Sequence, residues 1–318
     1  MLPNQILQVA LAQISPVWLK REQTIEKVLA AISEAADKKA ELVAFGESFL
    51  PGYPFWLERT GGAVFNSPKQ KQLHALYLEN AVNIEAGHLD SVCELAKQRN
   101  ISVVLGCAER PSDRGGHSIY CSAVYIDQNG VIQSVHRKLM PTYEERLTWS
   151  PGDGNGLRTH KLKDFTVGAL NCWENWMPLA RAAMYAQGED LRVAIWPGGT
   201  HNTHDITRFI AKEARSYVMS ASGLMRPQDF PADTPSLEEI IDGAPEFLAN
   251  GASCIAAPNG EWVIEPQEGV EGVFVGEIDH NVVLQERHNF DCVGHYSRPD
   301  VTQLTVNRER QTTAKFKD

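Results

Sequence analysis

No stretch of the 318-residue sequence approaches the roughly 18 uninterrupted apolar residues that a membrane-crossing helix needs, so a membrane-spanning role is not expected. The opening residues 1–5 carry no basic group. The apolar stretch over residues 6–12 is short and contains Gln8, so no secretory signal is expected either. Basic charge is also in short supply. The chain has 30 Lys+Arg against 40 Asp+Glu, a formal charge of −10, and nothing in it would neutralise phosphates broadly. Nucleic acid is therefore not an expected partner. The six cysteines (Cys93, Cys107, Cys121, Cys172, Cys254 and Cys292) form no C-x-x-C pair. With no secretion signal they read as reduced thiols of a cytoplasmic chain, most of them small core hydrophobes. No repeat, low-complexity tract or linker cuts the sequence. Residues 1–318 are thus expected to form one domain, with its core over about 6–305 and a tail over 306–318.

Apolar residues make up 43% of the chain, enough to offset chain entropy and build a core. Short apolar runs at residues 6–12, 42–45, 101–105, 165–170, 193–196, 253–257 and 273–278 read as strands. Between them, Ile25, Val28, Leu29, Ile32 and Ala36 recur at helical spacing. Helices are also expected on both sides of Gly87, from Met177 to Gln187, and along Ile206, Phe209, Ile210 and Tyr217. Asn129-Gly130, between apolar stretches, signals a two-residue hairpin, and Pro258-Asn259-Gly260 a second turn. The proline-rich stretch 226–245 reads as a surface excursion. Strands alternating with helices predict an α/β architecture, with helices covering a buried sheet or a pair of packed sheets.

In α/β sheets, ligand-binding side chains collect beyond the carboxyl ends of strands. Three reactive residues stand there: Glu47 after 42–45, Lys138 after the strand ending near Val135-His136, and Cys172 after 165–170. Together they make coherent chemistry. A cysteine attacks as thiolate, a glutamate can remove its proton, and an ammonium can hold the negative charge that develops on substrate. Taken singly, each is more often a core thiol or a solvated charge.

Longer strings decide the matter. The sequence resembles the nitrilase superfamily of carbon–nitrogen hydrolases, and within it the true nitrilases. The matching segments are Phe45-Gly46-Glu47 with Pro51-Gly52-Tyr53-Pro54-Phe55-Trp56, His136-Arg137-Lys138-Leu139-Met140-Pro141-Thr142 with Glu144-Glu145-Arg146, and Gly152-Asp153-Gly154. Asn171-Cys172-Trp173-Glu174 and Gly294-His295-Tyr296-Ser297-Arg298-Pro299-Asp300 complete the series. The resemblance implies a four-layer α-β-β-α sandwich. It also implies Glu47 as general base, Lys138 as catalytic lysine, Cys172 as nucleophile and Glu145 as a second glutamate bracing the lysine. The Trp173 backbone N–H would share the developing charge with Lys138.

The resemblance further implies that a nitrile passes through a thioimidate and a thioester on Cys172 to acid and ammonia, with no metal or organic cofactor. Cys172 is followed by Trp173-Glu174, as in nitrile-hydrolysing members. An amidase, a cyanide-hydrolysing member and a non-catalytic assembly module are the alternatives. A small, linear, weakly polar nitrile calls for apolar and aromatic walls, and Tyr53, Trp56, Trp173 and Trp196 are the candidates, with ordinary packing the competing role for Trp56 and Trp196. Asn175 stands where many nitrilases have histidine, a position expected to lie beside the pocket. The sequence stops soon after the last matching block, so a homodimer or modest oligomer is expected rather than long filaments.

Other signals carry less. His201, His204 and Asp205 could be metal ligands but fit a helix start better. Gly152–Gly156 lacks a phosphate-loop frame. Cys254 and Cys292 read as core, and Arg308-Glu309-Arg310 as a solvated or interface tail.

Overall fold

The computed structural model describes residues 5–314 and 317, so residues 1–4 and, in the tail, residues 315, 316 and 318 lie outside the described part. The chain begins with β1 (Ile6–Gln13), α1 (Arg21–Asp37), β2 (Leu42–Phe45), α2 (Trp56–Arg59), α3 (Pro68–Asn80) and α4 (Asp90–Arg99). It continues through β3 (Ser102–Glu109) into the hairpin of β4 (Tyr120–Ile126) and β5 (Ile132–Arg137). Next come β6 (Thr159–Leu162), β7 (Phe165–Asn171), α5 (Pro178–Tyr185), β8 (Leu191–Trp196) and α6 (Thr200–Ala214). β9 (Tyr217–Ser222), β10 (Leu224–Met225), α7 (Leu237–Ile241) and β11 (Ala249–Ala256) follow. β12 (Trp262–Glu268), β13 (Gly272–Asp279) and α8 (His280–Asn289) end the series.

Two sheets result. One runs β13-β1-β2-β3-β4-β5; the other runs β10-β11-β9-β8-β7-β6, with β12 along β11. Each has a parallel centre, β1-β2-β3 and β7-β8-β9, flanked by antiparallel strands. Period-two alternation explains why the central runs are apolar at every position. In β1 and β2, Val9, Leu11, Leu42 and Ala44 face the second sheet, where they meet Val167, Val193, Ile195 and Met219. Ala10, Ala12, Val43 and Phe45 face outward onto Ile25, Val28 and Ile32 of α1 and Val92 and Ala96 of α4. The second sheet is covered by Ile206, Ile210 and Ala211 of α6 and by Ala180, Ala183 and Met184 of α5. The layering is therefore α-β-β-α, as the resemblance implies.

Four local expectations change. Tyr217 does not extend the helix: α6 ends at Ala214, Arg215 turns left-handed at φ +50, and Tyr217 opens β9. The strand signal there is diluted by two buried polar residues, Ser220, whose hydroxyl pairs with Thr207 of α6, and Ser222, whose N–H donates to the Ser253 hydroxyl. The excursion 226–245 is not wholly superficial, since Phe230 and Ile240 are buried beside Trp18, Trp56 and Tyr77. β12 and α8 have no counterpart among the expected elements. Finally, the tail is not free in solvent, because Arg310 pairs with Asp153 at 2.9 Å and Asn155 donates to the Arg308 carbonyl at 3.0 Å.

Leu11 is fully buried between the sheets. Leu11→Ala is expected to cost about 2–5 kcal/mol, read as a lower urea midpoint at unchanged slope.

Candidate active site

β2, β5 and β7 all deliver their carboxyl ends to one edge of the sandwich, because β5 returns antiparallel to β4 and so runs in the direction of β3 and β2. Glycines let these ends approach. A Cβ on Gly106 would lie 2.1 Å from the Gly46 carbonyl oxygen and 2.9 Å from the Glu47 Cα. A Cβ on Gly46 would meet the Gly223 nitrogen at 2.8 Å. No side chain fits at either place. Glu47 is then fixed across the sheet interface by its N–H, which donates to the Trp196 carbonyl at 3.0 Å.

Lys138 is held at both backbone ends: its N–H donates to Cys121 O and its carbonyl accepts from Gly152, each at 2.7 Å. Its fully buried ammonium lies 2.9 Å from Glu47 Oε1 and 2.6 Å from Glu145 Oε2. Glu145 belongs to a 3-10 turn, Tyr143–Leu147, which Thr142 caps; the Thr142 N–H donates to Glu145 Oε2 at 2.6 Å. The Tyr53 hydroxyl donates to the other oxygen, Glu145 Oε1, at 3.0 Å.

Cys172 follows β7 and opens a second 3-10 turn, Cys172–Trp176, five residues earlier than the helix expected near Met177. Its φ is +46, a left-handed conformation that costs a non-glycine residue on the order of 1–2 kcal/mol. The surroundings hold it there. Asn175 Nδ2 donates to the Cys172 carbonyl at 2.9 Å and to the Leu170 carbonyl at 3.2 Å. Arg192, itself paired with buried Glu189, donates to Asn175 Oδ1 at 3.3 Å. The Asn175 side chain is thus directed at backbone beneath the cysteine.

The Cys172 sulfur and one carboxyl oxygen each of Glu47 and Glu145 lie within 4.8 Å of one another. All three residues are of metal-ligating type, but the Lys138 ammonium already holds the cation position against both carboxyls. Among the described residues, no such cluster includes His201 or His204; His204 instead pairs with its neighbour Asp205 at the surface.

Burial dominates the electrostatics. It pushes the Glu47 carboxyl up to about 8; the adjacent ammonium opposes this and Glu145 adds to it. Burial, then Glu47, also raise the Cys172 thiol well above its ordinary value, while Lys138 and the Trp173 N–H pull it back. Burial disfavours the Lys138 charge, yet Cys172, Glu47 and Glu145 together hold it well above the ordinary lysine range. The site therefore pairs a neutral thiol with a carboxyl whose ionised form is a strengthened base.

The aromatic candidates separate. Tyr53 lines a narrow cleft of about 20 Å³ together with Glu47, Phe55, Pro197 and Met225. Trp173 contributes its N–H to the Cys172 sulfur, while its ring is 52% exposed and tilted against Trp176. Trp56 is enclosed between Trp18 and Tyr77, with ring centroids at 6.1 and 5.0 Å. Trp196 is buried in the cluster that contains Cys172, and its Nε1–H donates to Ser220. Neither of these two lines the cleft. Sequence reasoning missed Pro197, Met225 and Cys121. Pro197 follows β8 and obeys the same strand-end rule as Glu47. Met225 lies just beyond the unread β9. The Cys121 thiol touches Glu47, and nothing in its sequence neighbourhood signals this.

A family model of the carbon–nitrogen hydrolases matches residues 8–287. This chain belongs to the carbon–nitrogen hydrolase family. It is 34% identical to Nitrilase 2 of an unknown prokaryotic organism, over 98% of this chain and 95% of that protein. It is 33% identical to an aliphatic nitrilase of Rhodococcus rhodochrous, over 96% of this chain and 84% of that one. An amidase from Nesterenkonia sp. shares the fold, with a TM-score of 0.65 over 91% of this chain and 96% of that chain at 16% identity.

In this carbon–nitrogen hydrolase, Asn175→Ala would leave two buried carbonyls and an arginine N–H without their partner. The expected loss is about 2–4 kcal/mol of folding stability in urea titration, with the largest loosening around residue 172 in amide exchange.

Proposed function

We propose that the chain hydrolyses an organic nitrile to the carboxylic acid and ammonia, with Cys172 as nucleophile, Glu47 as general base, Lys138 as charge stabiliser and Glu145 as the brace on Lys138. The carrying observation is the single buried cluster that these four form at one strand-end edge. Trp173-Glu174 directly after the cysteine, and the identity to nitrilases over nearly the whole chain, favour a nitrile over an amide.

Glu47 takes the thiol proton as sulfur adds to the nitrile carbon and passes that proton to the nitrogen, giving a thioimidate and restoring the base. Lys138 and the Trp173 N–H face the negative charge as it develops. Water adds with Glu47 again acting as base, and ammonia leaves to give a thioester. A second water releases the acid and restores the thiol. One nitrile and two waters thus give one acid and one ammonia. Tyr53 orients Glu145 and forms one wall of the cleft. The same reading takes the chain as one domain, assembled as a homodimer or modest oligomer and working in the cytoplasm; extended filaments in sedimentation would overturn that assembly.

Ammonia release across a nitrile panel, with matched amides, tests the reaction. Cys172→Ala is expected to bring release to background, and intact mass should show an acyl adduct on the unmodified chain alone. Release from the amides only would overturn the nitrile reading in favour of an amidase.

Glu47 must be ionised to accept the thiol proton. With its carboxyl pushed up to about 8, the ionised share grows as pH rises through that value. Accordingly kcat/KM should climb with pH and level off above about 8, and Glu47→Gln should abolish both the activity and this limb.

A further inference from the structure

Glu174 is a buried acid to which the proposed reaction gives no part. It lies two residues beyond the nucleophile and is about as enclosed as the catalytic cluster itself. Burial works against its charge, but His136 and the N–H groups of Leu139 and Asn171 hold its carboxyl below the ordinary range. The carboxylate serves two strand ends at once. Oε1 accepts the N–H of Leu139, the residue after Lys138; Oε2 accepts the N–H of Asn171, the residue before Cys172, at 2.9 Å. His136 Nε2 lies 3.2 and 3.0 Å from the two oxygens. Gly156 closes the other side of His136, with room for no Cβ, since one would stand 2.2 Å from the His136 Cα.

β5 and β7 belong to different sheets, so no strand pairing fixes the end that carries Lys138 against the end that carries Cys172. Side-chain packing between sheets sets such heights only loosely, whereas charge-assisted hydrogen bonds to backbone N–H groups are short and directional. We propose that Glu174 is a positioning residue that clamps these two ends and thereby sets the Lys138 ammonium against the Cys172 sulfur.

An ionised carboxylate suits this task because both of its oxygens only accept. A glutamine would turn an NH2 group toward one of the two N–H donors and lose the charge that strengthens the bond to the other, so both ends would loosen. An aspartate is one methylene too short to reach both. The proposal rests on the reading of Cys172 and Lys138 as the reacting pair.

The test uses the full chain with Glu174→Gln and Glu174→Asp. It reads kcat and KM for a hydrolysed nitrile, the rate of Cys172 alkylation by iodoacetamide, and amide exchange over residues 136–140 and 170–174. For Glu174→Gln, kcat and alkylation should each fall at least about tenfold while KM stays within about threefold, because geometry at the reacting atoms changes and the cleft does not. Exchange should rise in both segments together. Glu174→Asp should show the same losses, with exchange raised in one segment, and it decides the matter if Glu174→Gln does not fold. Kcat and alkylation within about twofold of the parent, or faster exchange confined to 170–174 in Glu174→Gln, would overturn the clamp and leave Glu174 a cap of its own turn. If the parent chain releases no ammonia from nitriles, the functional reading fails, and alkylation and exchange still decide the clamp.

Discussion

The buried ammonium of Lys138 is the constraint on which the site depends. An isolated charge at that depth would be strongly unfavourable, and only the two carboxyls at hydrogen-bond distance make it tolerable. Removing either partner of a buried pair typically costs about 3–5 kcal/mol, so Glu47 and Glu145 are held in place by the lysine as much as the lysine is by them. The same burial strengthens Glu47 as a base. Lysine has three N–H donors; two face carboxyls, and in the proposed reaction the third is available to the substrate nitrogen.

Two sheets are needed to build this arrangement, and neither holds it alone. Glu47 and Lys138 come from the first sheet and Cys172 from the second, and they meet because parallel central strands send their carboxyl ends the same way. Close approach of the strand ends is purchased with glycine: Gly46 and Gly106 occupy places where a methyl group would strike backbone. Tyr53 and Thr142 then fix the two oxygens of Glu145, so the brace on Lys138 is itself braced.

Much of this was legible from sequence, for a physical reason. Glu47, Lys138 and Cys172 each interrupt an apolar run, and a reactive side chain directly after a buried strand is a local signal. The layering was equally open, since strands buried on both faces lack the polar alternation of a half-exposed sheet. What stayed hidden was set by distant partners. β9 carries two buried serines, Ser220 paired with Thr207 of α6 and Ser222 bonded through its N–H to Ser253, which blunted its apolar signature. The burial of Trp56 depends on Trp18 and Tyr77, remote in sequence on either side of it. Asn175 lies next to reactive residues along the chain, yet its side chain is spent on Arg192 and two backbone carbonyls. The tail residue Arg310 finds its partner, Asp153, more than a hundred residues upstream.

The left-handed backbone at Cys172 has a consequence of its own. Glycine occupies that conformation without strain, so the step from cysteine to glycine would relieve the turn at the moment it removed the sulfur. Relief of backbone strain and loss of function would thus come together in one substitution, with the emptied place among Tyr185, Ala194 and Trp196 as its cost to packing. The backbone at this place gives no reason to keep a side chain, and selection for the chemistry of the thiol is what maintains the strain.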